Sequence, residues 1–368
     1  MSPAEGDGPP TAGPGEPLRF DLDAVLAATA GLWEDLRGAR LFVTGGTGFF
    51  GCWLLETLLR ADETLRLGVS IVVLTRDPQR FVGRAPHLAE HPAVTLLEGD
   101  MASFAFPHGS FDAVIHAATE TGDPNAPLAD RLMDPLRKFD SDLAGVRRAL
   151  ELARERGARR FLFTSSGAVY GRQPPDLSHV PEDYRGAPDS LDPNAAYGDA
   201  KRAGEFLCAA YRSRFGLETV VARCFAFVGP YLPLDGGYAI GEFIADALSG
   251  GPVRVTGDGT PYRSYLYAAD LAAWLWTLLL RGTPGRAYNV GSDEALIIGE
   301  VARTVVRVVA PAAEIVVARR PREGATAERY VPSVARAQAE LGLRRRVTLQ
   351  DAIARTAAWH TNRERRGG

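Results

Sequence analysis

The sequence predicts an α/β fold, a parallel sheet wound on both faces by helices, with a smaller lobe in the C-terminal third. Three observations carry this. Apolar runs of strand length recur at 41–43, 69–74, 94–97, 113–116, 161–164 and 219–222. Helical apolar patterns or polar connections separate them, which makes neighbouring strands parallel and covered on both sides. The first run also passes through glycines 45, 48 and 51 directly into a helical pattern.

That stretch, Leu41 to Leu55, organises the rest. Glycines at 45, 48 and 51 allow a tight turn, a close backbone approach to a pyrophosphate and close packing of helix on strand, with anionic oxygens at the helix N-terminus. Glycine is common here, 39 of 368 residues, but the strand at 69–74 closes a βαβ unit around this turn. The class is therefore a Rossmann-type doubly wound parallel sheet that binds a dinucleotide, with a C-terminal substrate-binding lobe.

In chain order, residues 1–17 are rich in Gly, Pro, Ala and acidic residues and are expected to be disordered. A helix is expected from Phe20 through Leu36, ahead of the first strand. Residues 18–225 are assigned mainly to the dinucleotide-binding domain. Residues 226–360 form mainly the substrate lobe, with elements returning to the core, and 361–368 a polar tail. A further helical pattern runs from about Leu128 through Arg156, and later ones cover Ile240–Leu248, Asp270–Leu280 and Leu349–Trp359, with a short strand at Val253–Val255. Asp270 reads as a helix cap.

Composition narrows the partners. Lys plus Arg is 42 and Asp plus Glu 45, a formal charge of -3 that argues against nucleic acid. The three cysteines, 52, 208 and 224, make no paired motif and suit a reducing compartment. No apolar run is long enough to span a membrane, so a soluble, cytoplasmic protein is expected. His87 and His91 stand four apart, but no further ligand completes a metal site.

The chemistry falls on Ser166, Tyr197 and Lys201. The run Tyr197-Gly198-Asp199-Ala200-Lys201 places phenol and ammonium one helical turn apart on one face. A phenol with a reference pKa of about 10 is a poor base at neutral pH; a neighbouring ammonium and a nicotinamide cation favour its phenolate. Ser166, closing the strand at 161–164, can donate a hydrogen bond to the same substrate oxygen.

With these residues in view, the chain resembles the extended short-chain dehydrogenase/reductases of the nucleotide-sugar epimerase/dehydratase group, from Ala39 to about Trp359. The matching stretches are TGGTGFFG at 44–51, Gly99-Asp100, His116-Ala117-Ala118, SSGAVYG at 165–171, YGDAK at 197–201, Arg223 with Gly229-Pro230, and GDGTPYRSYLYAAD at 257–270. The resemblance implies Tyr197 as acid/base, Lys201 on the nicotinamide ribose, and Ser166 steadying the reacting oxygen. It further implies a cofactor lined by Gly45, Thr47, Gly48, Phe49, Phe50 and Gly51, by Asp100 and Met101 at the adenine, and by Ala117 and Ala118. Thr119, Glu120, Ser166 and Arg263 would face a nucleoside-diphosphate sugar, Arg263 gripping its diphosphate. Extended members commonly pair through the helices at 140–152 and 201–211, so a homodimer is expected.

Two departures bear on the reaction. Members that dehydrate 4,6-diols usually carry an acidic pair where this chain has Gly167 and Ala168, and related decarboxylases carry a glutamate at the position of Ala168. Glu120 remains near the expected site and could supply one carboxylate, either as a catalytic group or as a hydrogen-bond support for a neighbour. At the end of the second strand stand Thr75 and Arg76, with Arg80 following. A guanidinium there suits a 2'-phosphate while Asp77 argues for NAD, so NADP or NAD is expected, with NADP favoured. The resulting expectation is a nucleotide-sugar epimerase, C4 first, that oxidises the sugar transiently. The alternatives are an NADP-dependent 4-keto-sugar reductase and an atypical dehydratase drawing on Glu120.

Overall fold

The computed structural model describes residues 18–121, 134–322 and 324–367. The first half contains α1 (Arg19–Ala28), β1 (Arg40–Thr44), α2 (Phe49–Leu65), β2 (Ser70–Thr75), α3 (Pro78–Arg84), α4 (Pro86–Ala89), β3 (Val94–Glu98), β4 (Ala113–His116), α5 (Pro135–Glu155), β5 (Arg160–Ser166), α6 (Ala196–Phe215) and β6 (Glu218–Cys224). Then come β7 (Phe227–Val228), α7 (Ala239–Leu248), β8 (Val253–Val255), β9 (Tyr262–Arg263), β10 (Leu266–Tyr267), α8 (Ala268–Arg281), β11 (Ala287–Val290), β12 (Leu296–Ile297), α9 (Ile298–Val309), β13 (Ile315–Val317), β14 (Arg329–Tyr330), α10 (Ala335–Leu341) and α11 (Leu349–Gly367).

Seven strands form one parallel sheet in the order β3-β2-β1-β4-β5-β6-β11. Helices α1, α2 and α8 cover one face and α5 and α6 the other. The direction of winding reverses between β1 and β4, and ligands of open α/β sheets bind outside the strand ends at such a point. Three small sheets, β7 with β10, β8 with β13, and β9 between β12 and β14, build the smaller lobe.

The core explains why α8 is apolar all round. It lies between α1, α2 and the sheet, with Trp274 and Trp276 fully buried, and the Trp276 indole donates to Thr57 Oγ1 at 2.8 Å. Asp270 does not cap this helix, which begins at Ala268. Its buried carboxylate accepts from the Arg346 and Val347 amides at 2.9 and 3.2 Å and ties the C-terminal segment to the core.

Other elements also differ from expectation. The N-terminal pattern splits into α1 and a separate 3-10 turn at Trp33–Leu36, because Thr29 turns its hydroxyl back to Val25 O and Gly31 takes φ 81°. The connection after β2 contains two short helices, each opened by a proline at a position where a helix has no use for the amide. The last helix runs through the expected tail to Gly367. The expected disorder at 1–17 and the helix start at Leu128 lie outside the described residues.

Candidate active site

The glycine turn and β4 meet at the switch point. Gly45 has φ 72°, and a Cβ there would lie 2.6 Å from the Ala117 carbonyl and the Ala118 amide nitrogen. One on Gly51 would lie 2.3 Å from Gly45 O and the Gly46 backbone. Any side chain would push the helix off the strand. The α2 N-cap, Gly48, has no side chain to cap the helix, so the first amides of α2 have no side-chain partner from the cap. This cradle of bare backbone at a helix N-terminus fits a dinucleotide pyrophosphate. Phe49 and Phe50 open α2, and Phe50 meets Phe227 edge to face at 5.0 Å, joining the turn to the small lobe.

At the outer end of this groove, Arg76 is half exposed and its guanidinium lies 3.4 Å from Glu120. The Asp77 carboxylate is engaged in capping α3 through the Arg80 amide at 2.9 Å, and Thr75 Oγ1 accepts from the Asp77 amide. Asp100 accepts from the Ala102 amide, while Met101 is buried.

Ser166 ends β5 and starts a 3-10 turn, its Oγ accepting from the Ala168 amide at 3.1 Å. Tyr197 and Lys201 lie on the first turns of α6, led in by a short turn that Asp192 caps. Glu205, one turn further, holds the helix in place. It accepts two bonds from Arg223 at 3.0 and 2.7 Å and one from Ser165 at 2.7 Å, locking α6 against β5 and β6. Tyr197 hydrogen bonds with Ser166. Lys201 is buried, donates to Thr164 O at 3.0 Å, and lies 5.7 Å from the centre of the Tyr197 ring.

Burial lowers Lys201 to about 8, with Asp142 opposing and Lys138 adding to the shift. Burial also pushes Tyr197 up, and the bond from Ser166 works against it. Without the positive nicotinamide ring the phenol therefore keeps its proton.

Glu120 is buried and directed at Arg76, with Arg137 3.9 Å away. Thr119 and the Glu120 amide bond to Asp142. Lys138 completes the group, ion-paired to Asp142 at 3.0 Å, donating to Thr119 Oγ1 and Glu120 O, and standing 4.8 Å from the Tyr197 ring centre. Arg263 donates to Glu328 at 2.8 Å and lies 6.0 Å from the ring of Tyr330, its neighbour across the β9–β14 pair.

Three site residues escaped the sequence reading: Asp142, Lys138 and Tyr330. Asp142 left a signal, because a carboxylate at 142 shares the buried stripe of α5 with Val146, Ala149 and Ala153. Tyr330 left none, since its two-residue strand has no period to read.

Gly167, the first of the two positions that lack an acid, is closed by packing. A Cβ on Gly167 would lie 2.7 Å from the Phe225 ring and 2.7 Å from the Tyr330 hydroxyl.

Residues 41–291 match the model of the NAD dependent epimerase/dehydratase family. The chain belongs to this family. Among curated relatives, UDP-glucuronic acid decarboxylase 1 of Arabidopsis thaliana is 29% identical over 329 residues, covering 88% of this chain and 70% of the relative. Among solved structures, a dTDP-glucose 4,6-dehydratase of Streptomyces venezuelae with NAD bound superposes with TM-score 0.71 at 23% identity, over 89% of this chain and 98% of the other. A UDP-galactose 4-epimerase gives TM-score 0.67 at 26% identity, over 88% and 99%. The protein is thus an NAD(P)-binding enzyme related to those that modify nucleotide sugars. Among the described residues, no helix is long and apolar enough to cross a membrane.

Proposed function

We propose that the protein oxidises a carbinol of a nucleoside-diphosphate sugar, C4 first, and that Ser166, Tyr197 and Lys201 carry the proton chemistry. The observation behind this is the trio itself, Ser166 bonded to Tyr197 and the Lys201 ammonium 5.7 Å from the Tyr197 ring centre, beside a dinucleotide cradle. A bound nicotinamide dinucleotide supplies reversible two-electron oxidation at the sugar carbon. Tyr197 takes the hydroxyl proton, Ser166 orients the oxygen, and Lys201 adds positive charge beside the phenol. Arg263 on β9 and Tyr330 on β14 are register partners, and Tyr330 reaches Ser166. A diphosphate held at Arg263 would set its sugar over the reaction centre.

The fate of the keto sugar separates the readings. Epimerisation needs no residues beyond the trio, and the closed space at Gly167 leaves no room for an acid there. The names of the relatives favour a second reading, in which the 4-keto sugar goes on to lose carbon dioxide or water. A 4-keto uronic acid is a β-keto acid and loses carbon dioxide without a dedicated general acid, so this reading also needs only the trio for its first step. Dehydration needs a carboxylate, and Glu120 would have to leave Arg76 to serve. Net reduction of a 4-keto sugar is the remaining outcome.

The test is to incubate the protein with UDP-glucose, UDP-galactose, dTDP-glucose and UDP-glucuronic acid and weigh the products. An isobaric inverted sugar supports epimerisation, loss of carbon dioxide or water supports the second reading, and absence of turnover on all four overturns the proposal. For the cofactor, relatives solved with NAD support NAD, while Arg76 at the end of β2 supports NADP.

A further inference from the structure

Tyr330 belongs to no motif and has no role in the reaction described so far. The register of β14 places it opposite Arg263, while Arg329 turns to the other side and stacks 3.9 Å from the Tyr262 ring centre. The Tyr330 ring packs on Phe225 with centroids 4.7 Å apart, and its hydroxyl lies 3.5 Å from Ser166 Oγ. Ser166 thus stands between two phenols, Tyr330 and Tyr197.

A serine hydroxyl has one proton and two acceptor positions. The Ala168 amide takes one acceptor position of Ser166 at 3.1 Å. If Tyr330 takes the other, the Ser166 proton is left for Tyr197 or the substrate oxygen. Burial pushes Tyr330 up to about 12, so at neutral pH it retains a proton to donate. The 3.5 Å separation is long, as catalytic hydrogen bonds often are before substrate binds and draws them in.

We propose that, before sugar binds, Tyr330, Ser166 and Tyr197 form a directional hydrogen-bond chain: Tyr330 donates to Ser166, and Ser166 donates to the Tyr197 oxygen the single proton that turns to the substrate oxygen once it arrives. Tyr330 is then a positioning residue that fixes the direction of the Ser166 proton and stabilises the proton-accepting form of Tyr197. Reversed, the chain would make Tyr197 a donor to Ser166 and remove its capacity to act as base. The inference rests on the reading of Tyr197 as acid/base.

The test titrates phenolate absorbance in the protein saturated with NAD+, using Tyr197→Phe to identify the Tyr197 contribution. Tyr330→Phe keeps the stack on Phe225 and is expected to raise the Tyr197 pKa by about one unit. Ser166→Ala is expected to do the same, and the double variant no more than either alone, since both cut one chain. With an active substrate, the acid limb of the kcat/KM profile, which reports the sugar-free enzyme, moves by the same amount while KM at the pH optimum stays put. An unmoved Tyr197 titration, additive shifts, or a higher KM with an unchanged pH profile would overturn the chain. If Tyr330→Phe lowers the melting temperature steeply, the titration is made well below that temperature, where the same one-unit shift is expected and its absence overturns the chain. If no sugar nucleotide is turned over, the functional reading fails while the titration still tests the chain.

Discussion

Replacing Gly167 by alanine probes the feature that sets this site apart. The new Cβ would meet Phe225 Cε1 and Cζ and the Tyr330 hydroxyl, each at 2.7 Å. Non-bonded carbons prefer about 3.5–4.0 Å, so the neighbours must give by close to an ångström. Phe225 has little freedom to move, with Tyr330 4.7 Å and Tyr170 6.3 Å away, centroid to centroid, on its flanks. Overpacking of this kind costs about 1–3 kcal/mol, which lowers the melting temperature of a chain this size by a few degrees. Because the strain falls on Tyr330 and on the turn opened by Ser166, turnover should drop about a hundredfold, as expected for a misplacement of about 1 Å. Scanning fluorimetry and steady-state kinetics measure both, and Phe225→Leu in the same chain should recover part of each loss. If Gly167→Ala melts and turns over like the parent, the site has slack, and packing is not what keeps an acid out.

Arg76→Glu is expected to weaken NADP at least about tenfold more than NAD, because it reverses the charge a 2'-phosphate would meet; equal losses in titrations with the two dinucleotides would end that assignment. Arg263→Ala should raise the sugar-nucleotide KM about tenfold and leave dinucleotide binding unchanged, whereas unchanged substrate affinity by calorimetry would reduce Arg263 to the ion-pair partner of Glu328. His87 Nε2 donates to the Glu56 carboxylate at 2.8 Å, and this bond holds its pKa above the ordinary value. A raised folded pKa contributes stability that is complete below the unfolded value of about 6.5 and is lost as pH rises through the folded one. His87→Gln should therefore lower the melting temperature more at about pH 5.5 than at about pH 8.5; equal deficits would show that the ion pair contributes nothing.

The main sheet was legible because each of its first six strands has an apolar run and a polar or glycine boundary. The seventh, β11, was not, since Ala287-Tyr288-Asn289-Val290 is short and interrupted by a buried asparagine. Asn289 is accommodated by bonds to Val180 O, Ser333 O and the Tyr170 hydroxyl, none of which a local pattern can announce. The stretch after β2 read as a polar connection, although Pro78 and Pro86 each start a short helix in it. Within the site, Tyr197 and Lys201 were visible because one helix fixes their spacing. Tyr330 reaches Ser166 only through the register of β14 on β9, a non-local fact. The environment of Glu120 was likewise out of reach, because Arg76 follows β2 and Asp142 lies in α5.

The central claim, oxidation of a sugar carbinol by the Tyr197 site, is tested most directly with UDP-sugars carrying deuterium on C4. Turnover should slow by a primary isotope effect, the label should remain in the sugar product, and Tyr197→Phe should abolish the reaction while the protein still binds NAD. Retention at an inverted C4 would identify epimerisation. Label lost to solvent, or turnover undiminished in Tyr197→Phe, would show that the C4–H bond is not broken by transfer to a bound dinucleotide at this site and would contradict the account.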